Sequence, residues 1–581
     1  MKVKVAKTAG FCMGVRRALE LVLARSLRDS GPIYTYGPLI HNNQVVELLE
    51  SKGIKTINNL DEFDELHSGT IVIRAHGIPP DEKEEITKKG LNILDATCPK
   101  VARVQGIIKY YTGKGYSAII VGDRGHAEVK GLVGYSKGPV YVIQKVEDVE
   151  RLPHMEKVIV VAQTTQNKIK YREITGALEQ RFPDARIFNT ICDATNHRQE
   201  EVRKLARDTD CIVVVGGYHS GNTKRLVQVA KEAGAKVFHV ETEMELNREE
   251  LSKANVIGVT AGASTPNWII KKVVNEIEGI KKGKSLGIIH ILKQISRFLL
   301  ISNITVALGA ASLSYAYLVL SKLEPDIVYP LLSFLYVYAM HGLNLLLDRG
   351  ASVYNDPHRA TFLMRNRNIL LITSVSSVFV GLFLAYTMGM TAFLFIVGLC
   401  ILGVIYSIPI FPEGIKRRYG YYRIKDIPGS RSLSEAIGWA SVVSIFPILG
   451  NKCRFSIADI LAAVVVFMLS YTRSLLFDIF QTQGDLIVGT ETLPITIGEK
   501  KTLFIIKSLL SCLAIILLIA GLINVFPCFS YVMLVPSAGL FLCIMAYERK
   551  WLYLSTSLEM FVELNFLITG ALAVLTTSYG L

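Results

Sequence analysis

Two hydropathy patterns divide the chain. Up to residue 281, short apolar runs alternate with amphipathic stretches, the rhythm of strands separated by helices. That alternation predicts parallel α/β sheets, whose ligands bind beyond the strand C-termini. From about residue 299 the apolar runs lengthen. Nine predicted spans lie near 299–320, 328–347, 369–389, 391–411, 433–450, 457–477, 504–525, 529–547 and 558–579. Each approaches the roughly 20 residues that cross a bilayer as a helix. The basic stretch GIKKGKSLG falls between the two patterns. The expected organisation is an α/β domain over 1–281, a basic linker over 282–298 and an all-α, nine-helix transmembrane domain over 299–581.

Inside the first pattern a unit repeats. Cys12, Cys98 and Cys192 are nearly evenly spaced, and each falls where an apolar strand gives way to a helix. A helix N-terminus offers unpaired N–H groups and a positive dipole end, both favouring a thiolate. After each cysteine comes a second strand and a polar loop, bearing His41, then His126 and Glu128, then Ser220, Gly221 and Asn222. A third strand and loop follow, bearing His76, Thr164 and Ser264. Repetition at a fixed period means one structural unit used several times. Three lobes around a pseudo-threefold axis, with these loops meeting centrally, are therefore expected.

Three converging thiolates can hold one metal centre and leave a coordination position open, as sites of chemistry do. Zinc is the rival for an iron–sulfur centre, and spacing alone does not separate them. The loop residues form a donor-rich set suited to a phosphorylated ligand, because phosphate oxygens need many N–H and O–H donors. Glu128 is the odd member, a lone carboxylate placed like a proton donor.

The motifs AGFCMGVRRA, GPLIHNNQVV, RAHGIPP, DATCPKV, GHAEVKG, AQTTQ, CDATNHRQEE, SGNTKRL and GVTAGASTP occur in this order along residues 1–281. This segment resembles the LytB family of 4-hydroxy-3-methylbut-2-enyl diphosphate reductases, which close the methylerythritol phosphate route to isoprenoids. The resemblance implies a 4Fe–4S cluster on Cys12, Cys98 and Cys192. It also implies diphosphate contacts from His41, His76, His126, Ser220, Asn222 and Ser264, with Thr164 facing the substrate hydroxyl and Glu128 starting the proton relay. A ferredoxin- or flavodoxin-type electron donor is implied as well. Gly221 departs from the family's usual serine, so one side-chain donor is lost and a backbone N–H remains.

Composition and charge fit this division. The chain has 581 residues, a mean hydropathy of +0.35 and a formal net charge of +14. Basic residues gather in alternate loops between the apolar runs, including Arg359, Arg365, Lys416, Arg417, Lys500, Lys501 and Arg549. The positive-inside rule then places those loops and the N-terminal domain in the cytoplasm, in a multi-pass protein of the cell inner membrane. Reduced cytoplasmic thiols suit the cluster. No nucleic-acid partner is expected. The opening MKVKVAKTAG lacks the apolar core of a signal peptide.

The membrane half carries polar groups at the ends of two spans: Asn344, Asp348, Asp356 and Arg359, then Arg473, Asp478, Asp485 and Glu491. Carboxylates at membrane depth are costly and default to functional hypotheses. Two acidic motifs suggest Mg2+ bridging a diphosphate. The segments HGLNLLLDRGASVYNDPHRA and GDLIVGTETLP resemble the UbiA-type intramembrane prenyltransferases. The resemblance implies a magnesium and diphosphate site at Asn344, Asp348, Asp478 and Asp485, and transfer of a prenyl group to a lipophilic acceptor. Ser352 and Ser474 stand where relatives offer carboxylates. The competing reading makes this half an inactive membrane anchor or a lipid-binding module.

Overall fold

The computed structural model describes residues 2–28, 31–59, 61–62, 68–280, 288–347, 357–408, 423–450, 455–488, 492–549 and 556–579. They fall into two compact units, Met1–Lys284 and Ser285–Leu581.

The first unit opens with β1 (Lys2–Val5), α1 (Met13–Arg28), β2 (Ile33–Tyr36), α2 (Asn43–Ser51), β3 (Ile54–Ile57), β4 (Thr70–Ile73), α3 (Pro80–Lys88) and β5 (Asn92–Asp95). Its middle runs α4 (Pro99–Thr112), β6 (Ser117–Val121), α5 (Ala127–Gly134), β7 (Val140–Ile143), β8 (Val158–Ala162), α6 (Lys168–Arg181) and β9 (Arg186–Phe188). The last part runs α7 (Asp193–Asp208), β10 (Cys211–Val215), α8 (Gly221–Glu232), β11 (Lys236–Val240), α9 (Arg248–Ser252), β12 (Val256–Ala261) and α10 (Asn267–Ile280).

These strands form three four-stranded parallel sheets, β3-β2-β4-β5, β7-β6-β8-β9 and β11-β10-β12-β1. The order is the same in each, although the third sheet takes its edge strand from the start of the chain. The central strands VIVVA and CIVVV are buried at every residue, as parallel strands covered by helices on both faces require. In every sheet the edge strand β1, β5 or β9 leads to a cysteine. Each cysteine N–H then donates to a carbonyl beyond the neighbouring strand: Cys12 to Ala263 (3.0 Å), Cys98 to Ala75 (2.9 Å) and Cys192 to Thr164 (2.9 Å). One local device thus fixes all three cysteine loops.

The second unit is helical around a single apolar core that includes Tyr317, Trp439, Val443, Phe446, Leu476, Leu513 and Phe566. Its outer face exposes large apolar residues such as Ile372, Phe379, Phe504 and Leu522, the surface of a protein solvated by lipid. Among the described residues six helices are long and apolar enough to span a membrane: Arg367–Thr387, Ser430–Gly450, Ile457–Thr482, Glu499–Leu522, Phe529–Glu548 and Leu558–Tyr579.

The other three expected spans are also helical. Gln294–Ile301 and Ile304–Leu320 bend by 77° and together make at most a seventh span. The break falls at Asn303, whose backbone is left-handed (φ 63°), and Arg359 donates to its side-chain oxygen. Val328–Leu347 is an apolar helix of 20 residues that carries His341 and Asn344. The apolar stretch Met390–Tyr406 is shorter than the others.

Candidate functional site

Cys98 and Cys192 occupy the N-cap positions of α4 and α7, both with extended backbone, and Cys12 immediately precedes α1. The Val15 N–H reaches the Cys12 sulfur at 3.5 Å. A Cβ placed on Gly14 would lie 2.5 Å from Cys98 Sγ and 3.9 Å from Cys12 Sγ, so these two sulfurs converge on the first turn of α1. The Cys98 thiol is pushed up by burial, opposed by the N–H groups of Lys100 and Val101, and pushed further by the charges of Cys12 and Cys192. Three thiolates this close repel one another unless a cation neutralises them. The donor set, and the cradle that any side chain at position 14 would fill, therefore fit a bound metal centre.

The polar loops gather in one basin. The rings of His41, His76 and His126 lie 4.7, 5.9 and 5.4 Å apart by centroid, and one nitrogen of each falls within 4.8 Å of the others. Burial lowers all three from the ordinary imidazole value, His41 to about 4. On His41 the cationic neighbours His126, Arg74, His219 and Lys224 add to burial. Asp123 partly opposes the shift on His126. Neutral imidazoles packed this way await negative charge. Ser264 Oγ donates to the His41 carbonyl (3.1 Å) and lies 3.4 Å from Ser220 Oγ. Ser220 caps α8, accepting from the Thr223 N–H at 3.3 Å. Both side-chain amide atoms of Asn222, and His76 Nδ1, are buried without a hydrogen-bond partner among the described residues. Orphaned donors in a polar basin mark a ligand position.

Gly221 begins α8, and a Cβ there would approach His126 Nε2 to 2.9 Å. The imidazole thus crowds the space that a serine side chain would enter. His126 caps α5 through Nδ1, which accepts from the Glu128 N–H at 3.1 Å. In the neutral ring the proton is then on Nε2, on the Gly221 side.

Glu128 is 1% exposed. Its two carboxylate oxygens accept from the Thr164 N–H (2.7 Å) and the Thr164 Oγ–H (2.8 Å). Burial raises its pKa to about 7, against the lowering effect of the Thr164 bonds and with a small addition from Asp123. A carboxyl that titrates near neutrality can both hold and release a proton at working pH.

Several residues of the basin carry no signal in the spacing of the repeat. Gln163 is fully buried, accepts from the Asp123 N–H (2.9 Å) and donates to Thr165 Oγ1 (3.0 Å). Arg74 and Lys224 supply positive charge beside the histidines. Their positions in RAHGIPP and SGNTKRL, next to singled-out residues, were the available clue.

In the second unit Asp478 and Asp485 are buried two turns apart on one face of the helix Ile457–Val488. Arg431 donates to both oxygens of Asp485 (3.4 and 3.3 Å) and to Gln481 (3.1 Å). On the same helix Arg473 pairs with Glu435 (2.5 Å) and Glu563 (2.5 Å) and stacks over Trp439 and Phe477. Glu435 lies 3.4 Å from His341. Asn344 sits on Val328–Leu347 and is half-buried, whereas Asp348, Ser352, Asp356 and Glu491 lie outside the described residues.

Comparisons with known proteins match the two halves separately. Residues 3–278 match the family model described as LytB protein, and residues 300–567 match the UbiA prenyltransferase family. The 4-hydroxy-3-methylbut-2-enyl diphosphate reductase of Geotalea daltonii is 46% identical over 285 residues, covering 49% of this chain and 100% of the relative. The enzyme of the same name from Geobacter sulfurreducens is 42% identical over 278 residues, covering 48% of this chain and 97% of the relative. Among solved structures, the Plasmodium falciparum E-1-hydroxy-2-methyl-but-2-enyl-4-diphosphate reductase is 31% identical, with a TM-score of 0.46, covering 47% of this chain and 87% of its own. A UbiA homolog from Archaeoglobus fulgidus bound to DMAPP and Mg2+ is 16% identical, with a TM-score of 0.35, covering 48% and 98%. The chain therefore belongs to the LytB family through its first half.

Proposed function

We propose that the first half removes the hydroxyl of 4-hydroxy-3-methylbut-2-enyl diphosphate reductively, giving isopentenyl and dimethylallyl diphosphates and water. The observation that carries this reading is one basin that combines buried, unpartnered donors for a diphosphate with a buried carboxyl titrating near 7. The balance requires two electrons and two protons for one C–O bond broken. Cys12, Cys98 and Cys192 would hold a 4Fe–4S cluster, which supplies the electrons singly and an iron without a protein thiolate. His41, His76, His126, Ser220, Asn222 and Ser264, with the Gly221 N–H, bind the diphosphate, whose charge makes the three imidazoles more basic. Thr164 orients the Glu128 carboxyl, which delivers a proton to the departing oxygen and is reprotonated from water. The electrons come from a ferredoxin- or flavodoxin-type carrier.

The experiment is anaerobic turnover of the Glu128→Gln chain. The amide keeps the shape but carries no acidic proton, so binding should persist while turnover falls about a hundred- to ten-thousand-fold. Turnover near the wild-type rate would place the proton source elsewhere.

For the second half the reading is Mg2+-assisted prenyl transfer to a lipophilic acceptor, with Asn344, Asp348, Asp478 and Asp485 holding metal and diphosphate. Burial of Asp478 and Asp485 on one helix face supports it. The rival anchor reading has a specific observation in its favour, since Arg431 already neutralises Asp485. Nine spans, counting the bent pair, Val328–Leu347 and Met390–Tyr406, with basic loops and the reductase half in the cytoplasm, complete the proposal. Cleavage of geranyl or farnesyl diphosphate by the full chain in detergent, dependent on Mg2+ and lost in Asp478→Ala, separates the readings. No cleavage with either diphosphate would favour the anchor.

A further inference from the structure

The three cysteine loops are stitched in a ring by cationic side chains from the helices they start. Arg17 on α1 donates to the Thr97 carbonyl beside Cys98 (3.1 Å). Lys100 on α4 pairs with Asp193 beside Cys192 (3.0 Å). Arg198 on α7 reaches the loop that leads to Cys12, donating to the carbonyls of Thr8 and Gly10 (2.7 Å to Gly10) and to Ala261 (3.4 Å). The third stitch differs in kind. Arg17 and Lys100 are partly exposed, whereas Arg198 is 4% exposed, and the charged neighbours that act on it are Cys12, Glu201 and Cys192.

One turn further along α7, Glu201 grips the same loop. Its carboxylate accepts from the Lys7 N–H (2.6 Å), the Thr8 N–H (2.8 Å) and the Thr8 hydroxyl (2.6 Å). Acidic and basic side chains on one helix thus hold N–H and C=O groups of one short segment, four residues before Cys12 at its nearest carboxylate contact. Charge-assisted bonds of this kind are the strong ones.

We propose that Arg198 is a positioning residue of the cluster site: with Glu201 it clamps the loop carrying Cys12, and its guanidinium lends buried positive charge to the Cys12 and Cys192 sulfurs. The inference rests on reading Cys12, Cys98 and Cys192 as the cluster ligands. It goes beyond that reading by assigning two residues whose hydrogen bonds go to the loop before Cys12 and to Ala261 rather than to a ligand sulfur. A cluster gains negative charge on reduction, and a fixed cation in a water-poor interior favours the more negative state. Loss of the cation therefore shifts the midpoint potential downward. A merely structural arginine would move stability and leave the potential where it was.

The test is redox titration and chelator-driven iron loss, both on the anaerobically purified full chain. Arg198→Lys keeps the charge but not the forked grip. It should hold the wild-type potential and lose iron to a chelator about tenfold faster, as expected when charge-assisted bonds go. Glu201→Gln should likewise speed iron loss. Arg198→Met should lower the reduction equilibrium constant at least tenfold, about 59 mV for a one-electron couple. A loaded Arg198→Met cluster at the wild-type potential overturns the charge role. Should that variant fail to load, the other two decide: iron loss at the wild-type rate in both overturns the clamp and the proposal with it. A wild-type chain that takes up no iron fails the cluster reading itself, which is a distinguishable result.

Discussion

Glu128 concentrates the chemistry at the residue scale. Its pKa near 7 comes from burial, and the sign follows from that cause. The folded state holds the proton more tightly than the unfolded one, so this group's contribution to stability is complete below about 4.5 and disappears as pH rises through about 7. The protonated fraction falls over the same window. Turnover limited by proton delivery should therefore decline above pH 7, and a rate profile on the loaded chain would show it. The histidines run the other way. His41 titrates near 4 in the folded protein against 6.5 ordinarily, so its contribution is present at neutral pH and lost as pH falls from about 6.5 toward 4. An arriving diphosphate reverses their depression. Binding should then take up protons, with affinity weakening as pH rises, measurable by calorimetry in buffers of different ionisation enthalpy. Gly221→Ser tests the crowding at that basin. A Cβ at 2.9 Å from His126 Nε2 must displace the ring, so diphosphate affinity should fall rather than gain a donor. Tighter binding in that variant would show that the ring yields freely.

Helices and strands explain how much of this was readable beforehand. The cysteines and the polar loop residues were legible because each ends a strand in a repeated unit, and the pattern of runs followed the sheets. The clamp of Arg198 and Glu201, and the bonds of Gln163, were not. They join segments far apart in sequence, and no local periodicity announces such contacts. Among the spans, a left-handed Asn303 and a short Met390–Tyr406 run separate helical from plainly membrane-spanning. One prediction belongs to α1. Gly14→Ala puts a methyl 2.5 Å from Cys98 Sγ in the first turn of that helix, so cluster loading should fail while circular dichroism stays native. A second belongs to Ile457–Val488. Arg431→Ala frees Asp485 from its guanidinium, so any Mg2+ binding by the second half should tighten. Unchanged or weaker Mg2+ binding would mean that Asp485 is not a metal ligand.

At the scale of the whole molecule, a LytB reductase half is followed by a helical half whose residues 300–567 match the UbiA prenyltransferase family model. The two proposed chemistries share isoprenoid diphosphates, but the reductase makes five-carbon units and the site residues of each half lie within their own compact unit. Asp478→Ala should therefore leave reductase turnover intact. The central claim is that the first half is an iron–sulfur reductase built on Cys12, Cys98 and Cys192. Iron and acid-labile sulfide analysis of the anaerobically purified full chain tests it most directly, alongside Cys98→Ser. The account predicts about four irons and four sulfides per chain, with loss of both in the variant. Stoichiometric zinc without iron in the wild-type chain would contradict it.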